Sequence, residues 1–134
     1  MNRTHLEGAA EALAIRQGYA FYAGPESDMA HTVRSYPAAW LAPLELHSVE
    51  GKSHGRATYD MTLHLLGSGA RLSPTERRTA QARMEERMLA LFAALSLDER
   101  VLAVEGLSVR PRTFSLTPHG EISQTATARI VTFF

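Results

Sequence analysis

The groups in this 134-residue chain that could do chemistry are six histidines and 14 acidic and 14 basic residues, with no cysteine among them. The missing cysteine removes thiol nucleophiles, thiolate metal sites and disulfides at once. The histidines form no HxxxH or HExxH pattern, the spacings that bring side chains onto one metal. His47 and His64 fall on the polar faces of two segments with strand alternation, and Asp60 shares a face with His64. A His47/His64/Asp60 cluster could hold zinc. Alternation alone would equally produce a polar surface turned to solvent or to a partner. Ser73 before Pro74 and Ser35 in Ser-Tyr-Pro read as cap and turn residues, and no serine sits in a GxSxG elbow. The carboxylate pairs Glu85-Glu86 and Asp98-Glu99 are adjacent in sequence and read as solvated. Gly67-Ser68-Gly69 lacks both the GxGxxG pattern and a P-loop lysine. The chain is therefore expected to be no enzyme and to need neither metal nor cofactor.

Partners are bounded in the same way. The formal net charge is zero, and the basic clusters Arg77-Arg78 and Arg110-Pro111-Arg112 have no aromatic residues interleaved. Sequence-specific nucleic-acid binding is not expected. Near-zero charge also weakens the repulsion that keeps proteins apart. No stretch approaches the roughly 18 to 20 apolar residues of a membrane span. Glu7 and Glu11 interrupt the first apolar run, so a targeting segment is not read there. The expectation is a soluble, intracellular protein folding as one domain over residues 1–134.

The elements that must carry these residues follow from periodicity. Thr4-His5-Leu6-Glu7 has the form of a capping box. Leu6, Ala9, Leu13, Ile15, Tyr19, Ala20 and Tyr22 give a broad apolar side, predicting a helix that Gly24-Pro25 ends. Residues Glu26 to Arg34 read as a polar connection. Pro37 and Pro43 then keep the stretch around Trp40, the sole tryptophan, extended or turning. Trp40 is expected to be buried against the first helix or the following hairpin.

Ala57, Tyr59, Met61, Leu63 and Leu65 alternate with polar residues, a half-buried strand, and Leu44 to Val49 alternate more weakly. Between them Glu50 to Gly55 predicts a long exposed hairpin tip, either functional or a tolerated excursion. Ser73-Pro74-Thr75-Glu76 combines an N-cap, a proline at the first helical position and a capping-box glutamate. The helix it starts runs to about Leu95, with a stripe of Ala80, Met84, Met88, Leu91 and Leu95 widened by Leu89 and Phe92. An extended region follows from Arg100 through a bend at Gly106 to Leu116, with Pro111 marking an edge or a bulge. Thr117-Pro118-His119-Gly120 predicts a turn, and Ile122, Ala126, Ala128 and Ile130 share one face of a last strand. The predicted fold is α+β, in the order α-β-β-α-β-β: a four-stranded antiparallel sheet with two helices packed on one face.

An N-terminal helix, "YPAAWLAP", an amphipathic hairpin, "SPTERRTAQARMEERMLALFAAL" and a closing hairpin ending in "TARIVTFF" together resemble the small tail-terminator or tail-completion proteins of long-tailed phages and prophages. The resemblance covers nearly the whole chain. It implies a structural protein of a virion, or of a host cytoplasm where a prophage is expressed. It also implies a homo-oligomeric ring, commonly a hexamer, that caps the tail tube and joins it to the head, with tail-tube and head-completion proteins as partners. In that reading Lys52, Ser53, His54 and Arg56 at the hairpin tip would meet a neighbouring subunit or the tube. Thr125, Thr127 and Arg129, with Thr58 and Thr62, would line an interface or lumen. The alternative is a small ligand-binding or regulatory α+β domain that dimerises through its sheet.

Overall fold

The computed structural model describes residues 2–112 and 115–134. Among these are three α-helices, α1 (Asn2–Arg16), α2 (Met29–Thr32) and α3 (Pro74–Leu95). Six strands form one sheet: β1 (Ala20–Ala23), β2 (Ala38–Leu41), β3 (Glu45–Gly51), β4 (Gly55–Gly67), β5 (Val101–Pro111) and β6 (Ile122–Phe133). The order across it is β1-β2-β4-β6-β5, and β3 lies beside β2's place, pairing the other half of β4. All pairings are antiparallel except β1 with β2. The α+β class stands, but the sheet has six strands rather than four.

The two added strands come from the segment that reads as the end of the first helix and the Trp40 region. The helix is already formed at Asn2, so Thr4 lies inside it rather than capping it, and it ends at Arg16 rather than near Gly24. Gly18 sits at φ +91, with Tyr19 N–H bonding Ala14 C=O and Gly18 N–H bonding Ile15 C=O. This is a Schellman stop, which needs the left-handed conformation glycine tolerates. Chain released there becomes β1, and Phe21 and Tyr22 suit a strand better than a helix. Residues 26–34 are not a plain connection: a 3₁₀ turn (Glu26–Asp28) leads into α2, and Met29 and the Val33 that caps the helix are buried.

Strand alternation divides the sheet into two faces. On one, α1 places Leu6, Ala10 and Ala14 and α3 places Met84, Met88, Leu91, Phe92 and Leu95 over Tyr59, Met61, Leu63, Leu65, Ala126, Ala128 and Ile130. The small Ala126 and Ala128 side chains leave room for this layer. α3 begins with the complete Ser73/Glu76 capping box. Leu89, read as part of its buried stripe, is exposed. On the other face only one end is covered, by α2 and a second small core of Met29, Val33, Ala38, Trp40 and Leu66. Trp40 is thus buried on the side away from α1. Its Nε1–H donates to Gly24 C=O at 2.9 Å, and its ring stacks on Tyr22 with centroids 6.2 Å apart.

β5 ends the sheet as an edge strand finishing at Pro111, with irregular register at Leu102 and around Gly106. The predicted turn is present at Pro118-His119, with Gly120 at φ +71. Part of the region read as extended, residues 113 and 114, lies outside the described residues.

Candidate interaction surface

The predicted long tip is short. β3 and β4 stay paired up to Gly51 opposite Gly55, so only Lys52, Ser53 and His54 form the turn. The two glycines explain the closeness: a Cβ on Gly55 would collide with Glu50 C=O, and one on Gly51 with the backbone of His54. Phe134 also bonds Gly55 in both directions through the backbone, tying the last residue to the tip. Lys52, Ser53, His54 and Arg56 are exposed, as a contact surface requires.

The uncovered half of the second face is polar. Its rows run across the sheet by register: Glu45, Asp60, Arg129 and Glu105 in one, Ser48, Thr58, Val131 and Ala103 in the next. Asp60 holds this surface together, with His47 Nδ1 at 3.5 Å and Arg129 Nε at 3.4 Å from its carboxylate oxygens. A groove of about 530 Å³ crosses it, lined by Asp60, Thr62, Glu105, Gly106, Thr127 and Arg129. Thr127 and Arg129 are exposed on this polar face. Such mixed, self-neutralised charge suits a wet contact with another protein surface.

Thr125 does not belong to that surface. It is buried beneath the 24–36 segment, its hydroxyl 2.7 Å from His64 Nδ1 and 3.0 Å from Arg112 Nε. His64 is fully buried, and its Nε2 lies 3.1 Å from Glu26 Oε1. The donors order themselves: Arg112 Nε–H to the Thr125 oxygen, Thr125 O–H to His64 Nδ1, His64 Nε2–H to the Glu26 carboxylate. Burial pushes the His64 pKa below its ordinary 6.5, outweighing the pull of the Glu26 carboxylate. The order hydroxyl, imidazole, carboxylate is that of a nucleophilic triad. The hydroxyl, though, is enclosed and already hydrogen-bonded to Arg112, and the imidazole has no exposed surface. The arrangement fastens the 24–36 segment to the sheet.

The predicted His47/His64/Asp60 cluster is consequently split, His47 going to Asp60 and His64 to Glu26. Among the described residues no group of three or more His, Asp or Glu side chains is placed to hold a metal ion. Glu121, not singled out from the sequence, is buried and accepts from Leu116 N–H, Thr117 N–H and the Thr117 hydroxyl at 2.6–2.8 Å. It organises the loop before β6.

Sequence reading also missed a second surface on the helix-bearing face. There the helices stop short of β3, leaving Leu46 and Val49 about half exposed. With Tyr59, Arg100, Phe133 and Phe134 they line an apolar groove of about 660 Å³. The signal was present in Leu46 and Val49, but the bulge at His47 puts them on the same face despite their odd spacing. No helix among the described residues is long and apolar enough to cross a membrane. Comparison with protein-family models and with curated proteins finds no match to this chain.

Proposed function

We propose that the protein is a structural assembly subunit resembling phage and prophage tail terminators, forming a ring that caps the tail tube and joins it to the head. The observation that carries this reading is the half-covered sheet, whose second face, beyond the end under α2, is polar and open among the described residues. A polar sheet face left open in this way is available for contact with another protein. The protein is read as non-enzymatic, acting in a virion or in the cytoplasm of a host carrying the prophage. Its partners are further copies of itself, the tail tube and head-completion proteins. The tip residues Lys52, Ser53, His54 and Arg56 and the open-face residues Thr127 and Arg129 are the contacts offered to them.

The test is imaging of the purified protein, alone and mixed with tail tubes. Closed rings, in solution or at tube ends, are the expected result. A protein that remains monomeric alone and also fails to bind tube ends would end the proposal. A second reading, a small ligand-binding domain, draws on the 660 Å³ apolar groove, a volume within the usual range of ligand sites. Saturable binding of an apolar small molecule there, without self-association, would favour it.

A further inference from the structure

The outer side of β3 is an unused hydrogen-bonding edge of limited length. Among the described residues no strand pairs it, and all seven residues of β3 are exposed. β2 and β3 follow one another along the same flank of β4, and β1 lies outside β2, ending with Ala23 beside Leu41. Beyond Ala23 the chain leaves this lane: Gly24 N–H bonds Leu41 C=O, and Glu26 turns over the second face to His64. The space alongside β3 is therefore closed at one end by β1 and open past the tip. A strand no longer than β3 itself fits there.

This edge has two unlike faces. Toward the helices, Leu46 and Val49 are about half exposed and continue into the apolar groove with Tyr59 and Phe134. Toward the open face stand Glu45 and Glu50, and among the described residues neither takes part in an ion pair. Arg56 is opposite Glu50 on β4 without bonding it, and β3 itself has no lysine or arginine. Free main-chain groups for affinity, with side-chain sites alternating between two faces for specificity, are what strand addition uses.

A second copy is a poor occupant. The eleven-residue β5 of another copy, set level with β3, would collide with β1. Two-fold pairing of β3 with itself fares no better: the register that sets Leu46 beside Val49 puts Glu45 opposite Glu50, and symmetry repeats the contact. Like charges directly opposite are destabilising. We infer that the outer edge of β3 receives an extended segment of a partner protein in which basic and apolar residues alternate. Val49, Ser48 and Leu46 stand opposite three successive residues of β4, Ala57 to Tyr59, with Glu50 and Glu45 opposite the residues on either side. A segment following the same register reads basic, apolar, any, apolar, basic. Its basic residues meet Glu50 and Glu45, its apolar ones lie beside Val49 and Leu46, and the bulged His47 is skipped as it is on β4. The inference goes beyond the assembly reading and holds whether or not copies form a ring.

The cysteine-free chain allows a disulfide-capture test. Ser48→Cys is mixed, in a thiol buffer, with the end-blocked peptide Ser-Arg-Val-Cys-Val-Arg-Ser, whose palindromic sequence fits either strand direction. Two comparison peptides replace both arginines by glutamate or both valines by serine. The arginine–valine peptide should be captured about tenfold better than either, as two cross-strand pairs would give. The advantage over the glutamate peptide should shrink with salt, and capture should slow hydrogen exchange in β3. Glu45→Arg with Glu50→Arg should turn the preference to the glutamate peptide; both sites are exposed, and circular dichroism checks the fold. Glu50→Gln alone should lower capture of the arginine peptide about threefold. Equal capture of the three peptides would overturn the inference. So would a preference that survives these glutamate substitutions, or capture that leaves exchange in β3 unchanged. Ser48→Cys chains joining one another in preference to the peptide would overturn it in favour of a second copy.

Discussion

Replacing Trp40 by alanine tests whether the second small core is an integral part of the fold. The indole is 1% exposed, packed on Met29, Val33, Ala38 and Leu66, and it donates to Gly24 C=O. Truncating a buried aromatic costs about 3–5 kcal/mol in transfer and cavity terms. Losing the hydrogen bond, with Gly24 C=O left facing the cavity, adds about 1 kcal/mol. The sum, about 4–6 kcal/mol, is a large part of the roughly 5–15 kcal/mol that holds a domain folded. Tm should fall by about 12–30 °C, taking roughly 3–5 °C per kcal/mol for a domain of this size. Trp40→Phe keeps most of the apolar volume and loses the donor, so about 1–2 kcal/mol is expected. Urea unfolding followed by circular dichroism measures both. A Trp40→Ala protein within about 1 kcal/mol of the parent would refute the reasoning. It would mean that the 24–36 segment is not coupled to the rest of the sheet.

Stability should also depend on pH through His64, which is held neutral by burial with its pKa below 6.5. The unfolded chain takes up the proton first, so the contribution is complete above 6.5 and is lost as pH falls from 6.5 toward the folded value. The slope in that window is at most about 1.4 kcal/mol per pH unit, and His64→Gln should flatten it in urea titrations. Ser73→Ala removes half of the capping box on α3 and should cost about 1 kcal/mol, read from the urea midpoint. Glu121→Ala orphans three donors and should cost about 3 kcal/mol by thermal melting, with Glu121→Gln milder because an acceptor remains. Gly55→Ala should disrupt the tip by forcing Glu50 C=O and Phe134 apart, seen as lost amide protection in β3 by hydrogen exchange.

Much of the fold was legible from local signals. The Ser73-Pro74-Thr75-Glu76 start, the alternation of Ala57 to Leu65 and the shared face of Ile122, Ala126, Ala128 and Ile130 all appear as read. Each rests on contacts within a few residues or on a single periodicity. The first helix was read too long because apolar residues continue past Arg16, and the weight of one glycine at position 18 was missed. The candidate surface was legible in part. Lys52, Ser53, His54, Arg56, Thr127 and Arg129 are exposed as expected, whereas Thr125 is buried, because a threonine's polarity does not say what covers its strand.

Sequence alone determined the class, the two main strands, the capped helix and the absence of a cysteine or motif for familiar chemistry. Tertiary structure decided the rest: the parallel pairing of β1 with β2, the burial of His64 and Thr125 under the 24–36 segment, and the apolar groove beside β3. Those features join residues far apart in the chain, such as Glu26 with His64 and Ala20 with Ala38. Which face of an alternating strand is covered, and which edge is left unpaired, depends on where distant segments come to rest. Period and capping carry no information about that.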